Sequence, residues 1–184
     1  MRLKLSSNDK KVLEILIQDG RTPCSEIARS VGITSQGVGK IKEKLECEGV
    51  IRGYSTIVDY EKLGVEVFAI AFFRFKSGSW TRLENEDIKQ RVKGPHLIRV
   101  YRFAEGDVTH MILYGFRSLK ELDNYFHILQ TERGHISELK KLYILSTDSV
   151  VKDSPTELLL KVLDEDSTGM LARPETPKPL PEDK

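Results

Sequence analysis

Cysteine is scarce in this 184-residue sequence, which contains only Cys24 and Cys47, far apart and outside any CxxC pair. That scarcity excludes a disulfide framework and a zinc knuckle, and it favours two reduced, partly buried thiols over a redox switch. No apolar run approaches the roughly 18 residues of a membrane helix, and the N-terminus lacks the apolar centre of a signal peptide. These absences predict a cytoplasmic protein that does not enter a membrane.

Catalytic signatures are also missing. The sequence contains no GxSxG, HExxH, Walker or GxGxxG pattern. An enzyme needs titratable groups that converge, but the histidines fall singly on different predicted elements or their edges. We therefore expect no catalytic residue, no metal and no cofactor. The histidines are His96, His110, His127 and His135.

Net charge is small, at +1 for the whole chain, but it is unevenly distributed. Residues 1–53 contain ten Lys/Arg against seven Asp/Glu, whereas the remainder contains 19 against 21. The N-terminal excess of +3 would orient this part of the chain towards a polyanion. Because the excess is modest, two copies would be needed for an effective attraction.

Start and stop signals predict three helices followed by a strand in residues 1–58. The last two helices, separated by a tight turn, and the start of the strand occupy residues 21–54. The strand is predicted at 50–58 from its alternating pattern. Three helices closing onto a strand outline a winged helix-turn-helix. The start signals are Ser7 or Asp9, then Thr22-Pro23, then Thr34, and the stop signals are Gly20, Gly32 and Gly49.

The third helix has a predicted outer face that is rich in polar residues and glycine. Val38, Ile41 and Leu45 form its inner stripe. Glycine at 37 and 39 lowers helix stability. Either the missing side chains let the backbone approach a phosphate or a base edge closely, or the glycines reflect helix packing or a frayed first turn. A helical wheel places the outer residues as Gln36, Gly39, Lys40, Glu43 and roughly Lys44, flanked by Ser35 and Lys42.

We expect this outer face to bind double-stranded DNA. Gln36 and Lys40 project from the helix start and would reach base edges, since glutamine suits adenine and lysine suits guanine. Glu43 would accept a hydrogen bond from cytosine or repel wrong sequences. The expected phosphate contacts, which fix the register, are Ser35, Lys42, Lys44 and Arg52.

A second domain follows a short connection. Strands are predicted at 67–75, 97–103, 108–116 and 139–147, with helices at 81–93 and after Ser118. The second helix would turn Leu119, Leu122, Phe126 and Leu129 to one side. This β-α-β-β-α-β order is the ferredoxin-like arrangement of the α+β class, with one antiparallel sheet and helices on a single face.

The predicted domains are therefore a winged helix-turn-helix with its linker strand at 1–62 and a ferredoxin-like dimerisation and effector domain at 63–153. Residues 154–184 would add a short helix and a disordered, acidic, proline-rich tail.

Four phrases resemble the Lrp/AsnC family, the leucine-responsive regulators of bacteria and archaea. They are LSSNDKKVLEILIQDGRT at 5–22, EIARSVGIT at 26–34, LECEGVIRGYSTIVDYEKLG at 45–64, and the strand and helix order that follows. The resemblance implies a sequence-specific transcriptional regulator that forms homodimers, often tetramers or octamers, and frequently senses a small molecule. Two alternatives stay open: a sirohaem-decarboxylase-like enzyme subunit of the same fold, and an oligomerisation module that binds no DNA.

Two departures from the family pattern bear on the site. The third helix carries Gly39 and Lys40 where the family usually has arginines. The hairpin usually reads Gly-x-Tyr-Asp-Tyr in the family, but here it reads Gly106-Asp107-Val108-Thr109-His110, so Thr109 replaces an acidic partner for an ammonium group. Two interpretations of Gly106, Asp107 and Thr109 stay open: they lie at a subunit contact where a small effector binds, or they form only a hairpin turn.

Overall fold

The computed structural model describes residues 4–76, 93–104 and 106–168 of the chain. Its contacts divide the chain into two compact units, one formed by Met1–Thr56 with Asp153–Lys184 and the other by Ile57–Lys152. Among the described residues, no helix is long and apolar enough to cross a membrane.

The first unit is built on helices α1 (Ser7–Gln18), α2 (Cys24–Val31) and α3 (Ser35–Cys47). Thr34 caps α3, because its hydroxyl accepts from the Gly37 amide at 3.0 Å. Gly32 ends α2 with φ at 78°, a left-handed conformation that costs glycine little. Both signals are as predicted. Val12, Ile27 and Val38, one from each helix, are fully buried and form the centre of this unit.

The start of α1 corrects the prediction of Ser7 or Asp9 as its cap. Ser6 is the cap: its hydroxyl accepts from the Asp9 amide at 3.2 Å, and the Asp9 carboxylate accepts from the Ser6 amide at 2.9 Å. Asp9 is therefore the third helical residue of a reciprocal capping box. The prediction missed this register because residues 6–9 are all cap-type residues.

The strand predicted at 50–58 is not formed. Strands need a neighbour for their backbone groups, and the described strands all belong to one sheet that does not include this segment. Other contacts hold its first residues: the Val50 and Ile51 amides donate to the Leu45 carbonyl at 2.9 and 3.0 Å. The alternating pattern is present, but no strand among the described residues lies beside it to complete a ladder.

The second unit contains one antiparallel sheet of four described strands in the order β2-β3-β1-β4. The helix predicted at 81–93 lies outside the described residues, apart from Lys93. The elements are β1 (Val67–Phe75), β2 (Leu97–Arg102), β3 (His110–Phe116), α4 (Leu119–Arg133) and β4 (Ser137–Ser146).

One face of the sheet packs against α4. Alternate residues of β1 and β3, such as Ala71, Ile112 and Tyr114, are buried with Leu122 and Phe126. Leu119 was predicted on this inner side but is 59% exposed. It is the first residue of the helix, and a helical side chain leans towards the preceding turn, which does not exist there.

A last helix, α5 (Thr156–Thr168), packs in the first unit. Leu163 is only 6% exposed and shares a core with Leu13 and Leu45. The prediction treated 154–184 as a separate segment, because apolar periodicity shows that a helix has a face to bury but does not show which other element packs on that face. The predicted tail at 169–184 lies outside the described residues.

Candidate nucleic-acid interface

The outer face of α3 is uncovered along its whole length. Val38 and Leu45, on the inner side, are fully buried, so the helix is fixed in its rotation about its own axis. The outer side then carries donors and acceptors that can bond to an external partner. Its exposed residues are Ser35, Gln36, Gly39, Lys40 and Glu43.

The two glycines of α3 have different surroundings. A Cβ at Gly37 would lie 3.2 Å from the Thr34 hydroxyl that caps the helix, so the cap itself favours glycine there. A Cβ at Gly39 would meet nothing within 4 Å. Internal packing therefore accounts for Gly37 but not for Gly39, beside which the space is open.

Lys42 is held on one flank of the outer face by an aromatic ring. Its ammonium lies 5.2 Å from the centroid of Tyr54, and the Tyr54 hydroxyl donates to the Glu46 carboxylate at 2.9 Å. Burial and the neighbouring Glu46 raise the pKa of the Tyr54 phenol, so it remains a donor. A cation over an exposed ring is stabilised by about 0.5–1 kcal/mol. The ring therefore limits the positions from which Lys42 can reach a phosphate.

Lys44 is engaged inside the first unit. Its ammonium lies 2.7 Å from the carboxylate of Asp9, whose side chain is 4% exposed against 43% for Lys44. Burial alone would raise the pKa of the Asp9 carboxyl, but the hydrogen bonds from Lys44 and Ser6 outweigh it and lower that pKa. The pair ties the end of α3 to the start of α1.

The Asp9 pair should contribute pH-dependent stability. Because the pKa of Asp9 is below 3.8 in the folded chain, its contribution is present above 3.8 and is lost as the pH falls through the lower folded value. We expect Asp9→Asn to reduce the free energy of unfolding by about 1–3 kcal/mol at pH 7 and to flatten its dependence on pH below 4. Denaturant unfolding between pH 2.5 and 7 measures both. Glu43→Gln, which changes an exposed carboxylate, is the matched control, and equal pH profiles for Asp9→Asn and wild type would contradict the assignment.

Sequence reasoning missed Asp9 and Tyr54 as residues that position the face. The SSND run hinted at a capping box, but the pairing of Asp9 with Lys44 spans 35 positions and leaves no local pattern. Arg52 is exposed, as a phosphate contact requires.

The residues expected to bind an effector lie at the turn between β2 and β3. Gly106 has φ at 112°, a conformation that favours glycine. The Asp107 carboxylate pairs with the Arg74 guanidinium and lies 3.6 Å from the Lys140 ammonium. Asp107 thus joins the turn to strands β1 and β4 through exposed ion pairs.

Thr109 has a structural hydrogen-bonding role. Its hydroxyl accepts from the Phe75 amide at 2.9 Å and donates to the Phe73 carbonyl at 3.1 Å. Because its single proton goes to Phe73, the His110 Nδ1 atom at 3.0 Å must donate to it. Burial and Arg102 lower the pKa of His110, which favours this neutral form. The Thr109 hydroxyl therefore serves the sheet rather than an external ammonium group.

Comparison with known proteins gives the same architecture. A family profile described as winged helix-turn-helix DNA-binding matches residues 5–52. The HTH-type transcriptional regulator LrpA of Pyrococcus abyssi is 34% identical over 139 residues, which are 75% of this chain and 92% of that protein.

Solved structures agree with the predicted fold class. An AsnC family transcriptional regulator from Agrobacterium tumefaciens superposes with a TM-score of 0.65 at 20% identity, covering 82% of this chain and 94% of that one. The transcriptional regulator NMB0573 of Neisseria meningitidis, solved with L-Met, superposes with a TM-score of 0.67 at 18% identity, covering 83% and 96%. The α+β prediction, a winged helix-turn-helix followed by one antiparallel sheet, is confirmed.

Proposed function

Because the chain belongs to the Lrp/AsnC family of DNA-binding transcriptional regulators, we propose that it recognises a pseudo-palindromic operator as a homodimer through the outer face of α3. The relatives are regulators, which favours this function over the sirohaem-decarboxylase-like alternative. A regulator of this kind works where its DNA is, so we place it in the cytoplasm.

The uncovered face of α3 carries the proposal. Gln36 and Lys40 lie near the helix start, which is the end that enters the major groove in helix-turn-helix proteins. Gly39 lies between them with open space beside it, so the helix can approach the groove wall closely. We assign base contacts to Gln36 and Lys40. Glu43 accepts a hydrogen bond from cytosine or repels wrong bases.

Phosphate contacts surround that centre. Ser35, Lys42 and Arg52 are the contacts that we retain from the sequence, since each has accessible surface. Lys44 still adds positive charge near the face, but its ion pair with Asp9 makes its main contribution one of domain stability.

Two copies are needed because one helix offers few base contacts. The open face of the sheet, opposite α4, suits a two-fold contact between copies. Residues that alternate with the buried ones lie there: Phe72 pairs with Met111 on one side and with Lys141 on the other. The Phe72 and Tyr143 rings are 6.1 Å apart, and Tyr143 is 43% exposed. An apolar patch of this kind marks an interaction surface. Such a dimer would place two recognition helices about 34 Å apart, in successive major grooves.

Two single variants should distinguish contacts to bases from contacts to phosphates. We expect Gln36→Ala to relax the preference at one operator position by about 1–3 kcal/mol while leaving the salt dependence unchanged. Lys42→Ala should weaken operator and random DNA alike and reduce the slope of log K against log salt by about 1. Binding titrations on both DNAs at three salt concentrations measure these effects.

Lys44→Ala is the internal control for this pair of variants. It should lower the midpoint of thermal unfolding and change the affinity for DNA less than Lys42→Ala does. If Gln36→Ala and Lys42→Ala reduce specific and random binding in the same ratio, the face assignment is wrong.

An effector site at the hairpin is the remaining part of the proposal. Its support is the glycine-only backbone at Gly106 and the ion pairs of Asp107, together with the L-Met complex of the similar Neisseria regulator. Thr109 stays beside the site through its backbone, since its hydroxyl is used in the sheet. A thermal-shift screen of amino acids on wild type and Asp107→Asn tests it: a shift that the variant loses supports the site, and a flat response opposes it.

A further inference from the structure

A cavity of about 410 Å³ opens in the second unit, between the α4 side of the sheet and α4 itself. Its volume falls within the range of about 300–1,000 Å³ typical of small-molecule sites. Phe73, Ile112 and Leu129 line its body, so most of the wall is apolar. Phe73 and Ile112 are buried members of the sheet core, which makes this wall rigid. The hairpin residues Gly106, Asp107 and Thr109 are not among those that line it.

Cations are placed at the polar end of the cavity. Lys93 and Arg133 both line it, and both are exposed. The carbonyl end of α4 is nearby and would repel an anion by itself. The Lys76 ammonium offsets this, because it donates to the Gly134 carbonyl at 2.9 Å and adds a third positive charge. Glu138, on the adjacent strand, has its carboxylate 3.1 Å from Lys140.

Two phenols also line the cavity. The ring centroids of Tyr114 and Tyr125 are 5.6 Å apart, and burial raises the pKa of both phenols. Both phenols therefore keep their protons and remain neutral. Tyr125, Leu129 and Arg133 follow one another at every fourth residue of α4, so all three lie along one face of the helix. Arg133 is in the last turn of α4, one turn beyond Leu129, so the cavity has a guanidinium next to its apolar wall.

We propose that this cavity binds a small amphipathic carboxylate, with its apolar tail among Phe73, Ile112 and Leu129 and its carboxylate at Arg133. A guanidinium binds a planar carboxylate by two parallel hydrogen bonds. An amine would meet Lys93 and Arg133 with the same sign of charge. A long polar anion would leave the apolar wall uncovered. The site goes beyond the proposed function, since it needs neither DNA nor the hairpin.

Calorimetric titration of the full chain with butanoate, hexanoate and octanoate tests the proposal directly. Each added methylene should strengthen binding about fourfold until the cavity is filled. Octanol and octylamine should bind at least tenfold more weakly than octanoate. Arg133→Gln should weaken octanoate at least tenfold, whereas Arg133→Lys should restore part of the affinity. Leu129→Trp should abolish binding by filling the cavity.

Asp107→Asn is the control for the hairpin, and it should bind octanoate as wild type does. Circular dichroism of each variant confirms that it is folded. Failure of wild type to bind any acid of the series overturns the proposal, as does equal binding by Arg133→Gln or loss of binding in Asp107→Asn alone. Because the measurement contains no DNA, none of these results bears on the operator proposal.

Discussion

Replacement of Leu163 by alanine should destabilise the first unit strongly, although position 163 is 118 residues beyond Leu45, the α3 residue that it joins. We expect a loss of about 2–4 kcal/mol in the free energy of unfolding, the usual cost of truncating a buried leucine. Leu163 is 6% exposed, and Leu13 and Leu45, which share its core, are 9% and 0% exposed. No polar group of the side chain is involved, so the loss is one of apolar burial and packing.

The consequence should reach the outer face of α3 through Leu45. That residue is the inner anchor near the end of α3, so a cavity beside it loosens the helix that carries Gln36 and Lys40. Operator affinity near the unfolding temperature should therefore fall with stability, while affinity at low temperature should change little.

Leu158→Ala is the matched control for the Leu163 variant. It removes the same atoms from the same helix at a position that is 64% exposed. Denaturant unfolding at constant pH, followed by circular dichroism, compares the two. If Leu163→Ala and Leu158→Ala unfold alike, α5 does not pack in the first unit in solution.

A charge placed on the open face of the sheet should prevent self-association. Tyr143→Glu removes a ring whose centroid is 6.1 Å from that of Phe72 and replaces it by a charged group beside the Lys141 ammonium, which lies 4.8 Å from the Tyr143 ring centroid. In a two-fold interface each substitution occurs twice. We therefore expect self-association to weaken about 100-fold or more, as for the loss of a central aromatic contact. Sedimentation velocity across a concentration series measures the change.

DNA binding should follow the dimer. Tyr143→Glu should bind a full pseudo-palindrome no better than a half-site, whereas wild type should prefer the full operator strongly. Ile144→Glu is the control, since Ile144 is the next residue of β4, is 51% exposed, and belongs to the other face of the strand. Loss of dimers in Ile144→Glu but not in Tyr143→Glu would contradict the proposal, because it would place the dimer interface on the α4 side of the sheet.

The sequence by itself determined the elements whose signals are local. Strand β1 occupies the predicted residues 67–75, because eight of its nine residues are aromatic, β-branched or small apolar and polar residues bound the segment. The cap at Thr34 and the stop at Gly32 depend on the conformations of single residues. The outer face of α3 followed from the spacing of Val38, Ile41 and Leu45, which fixes what the helix must bury.

Only the tertiary structure decided which partners those elements meet. The engagement of Lys44 by Asp9, the use of the Thr109 hydroxyl by β1, and the packing of Leu163 beside Leu45 all join residues at least 34 positions apart. The strand pattern at 50–58 shows the same limit, since alternation permits a ladder but a neighbouring strand must complete it. Periodicity and caps report what a segment can bury or bond, and long-range packing selects the partner.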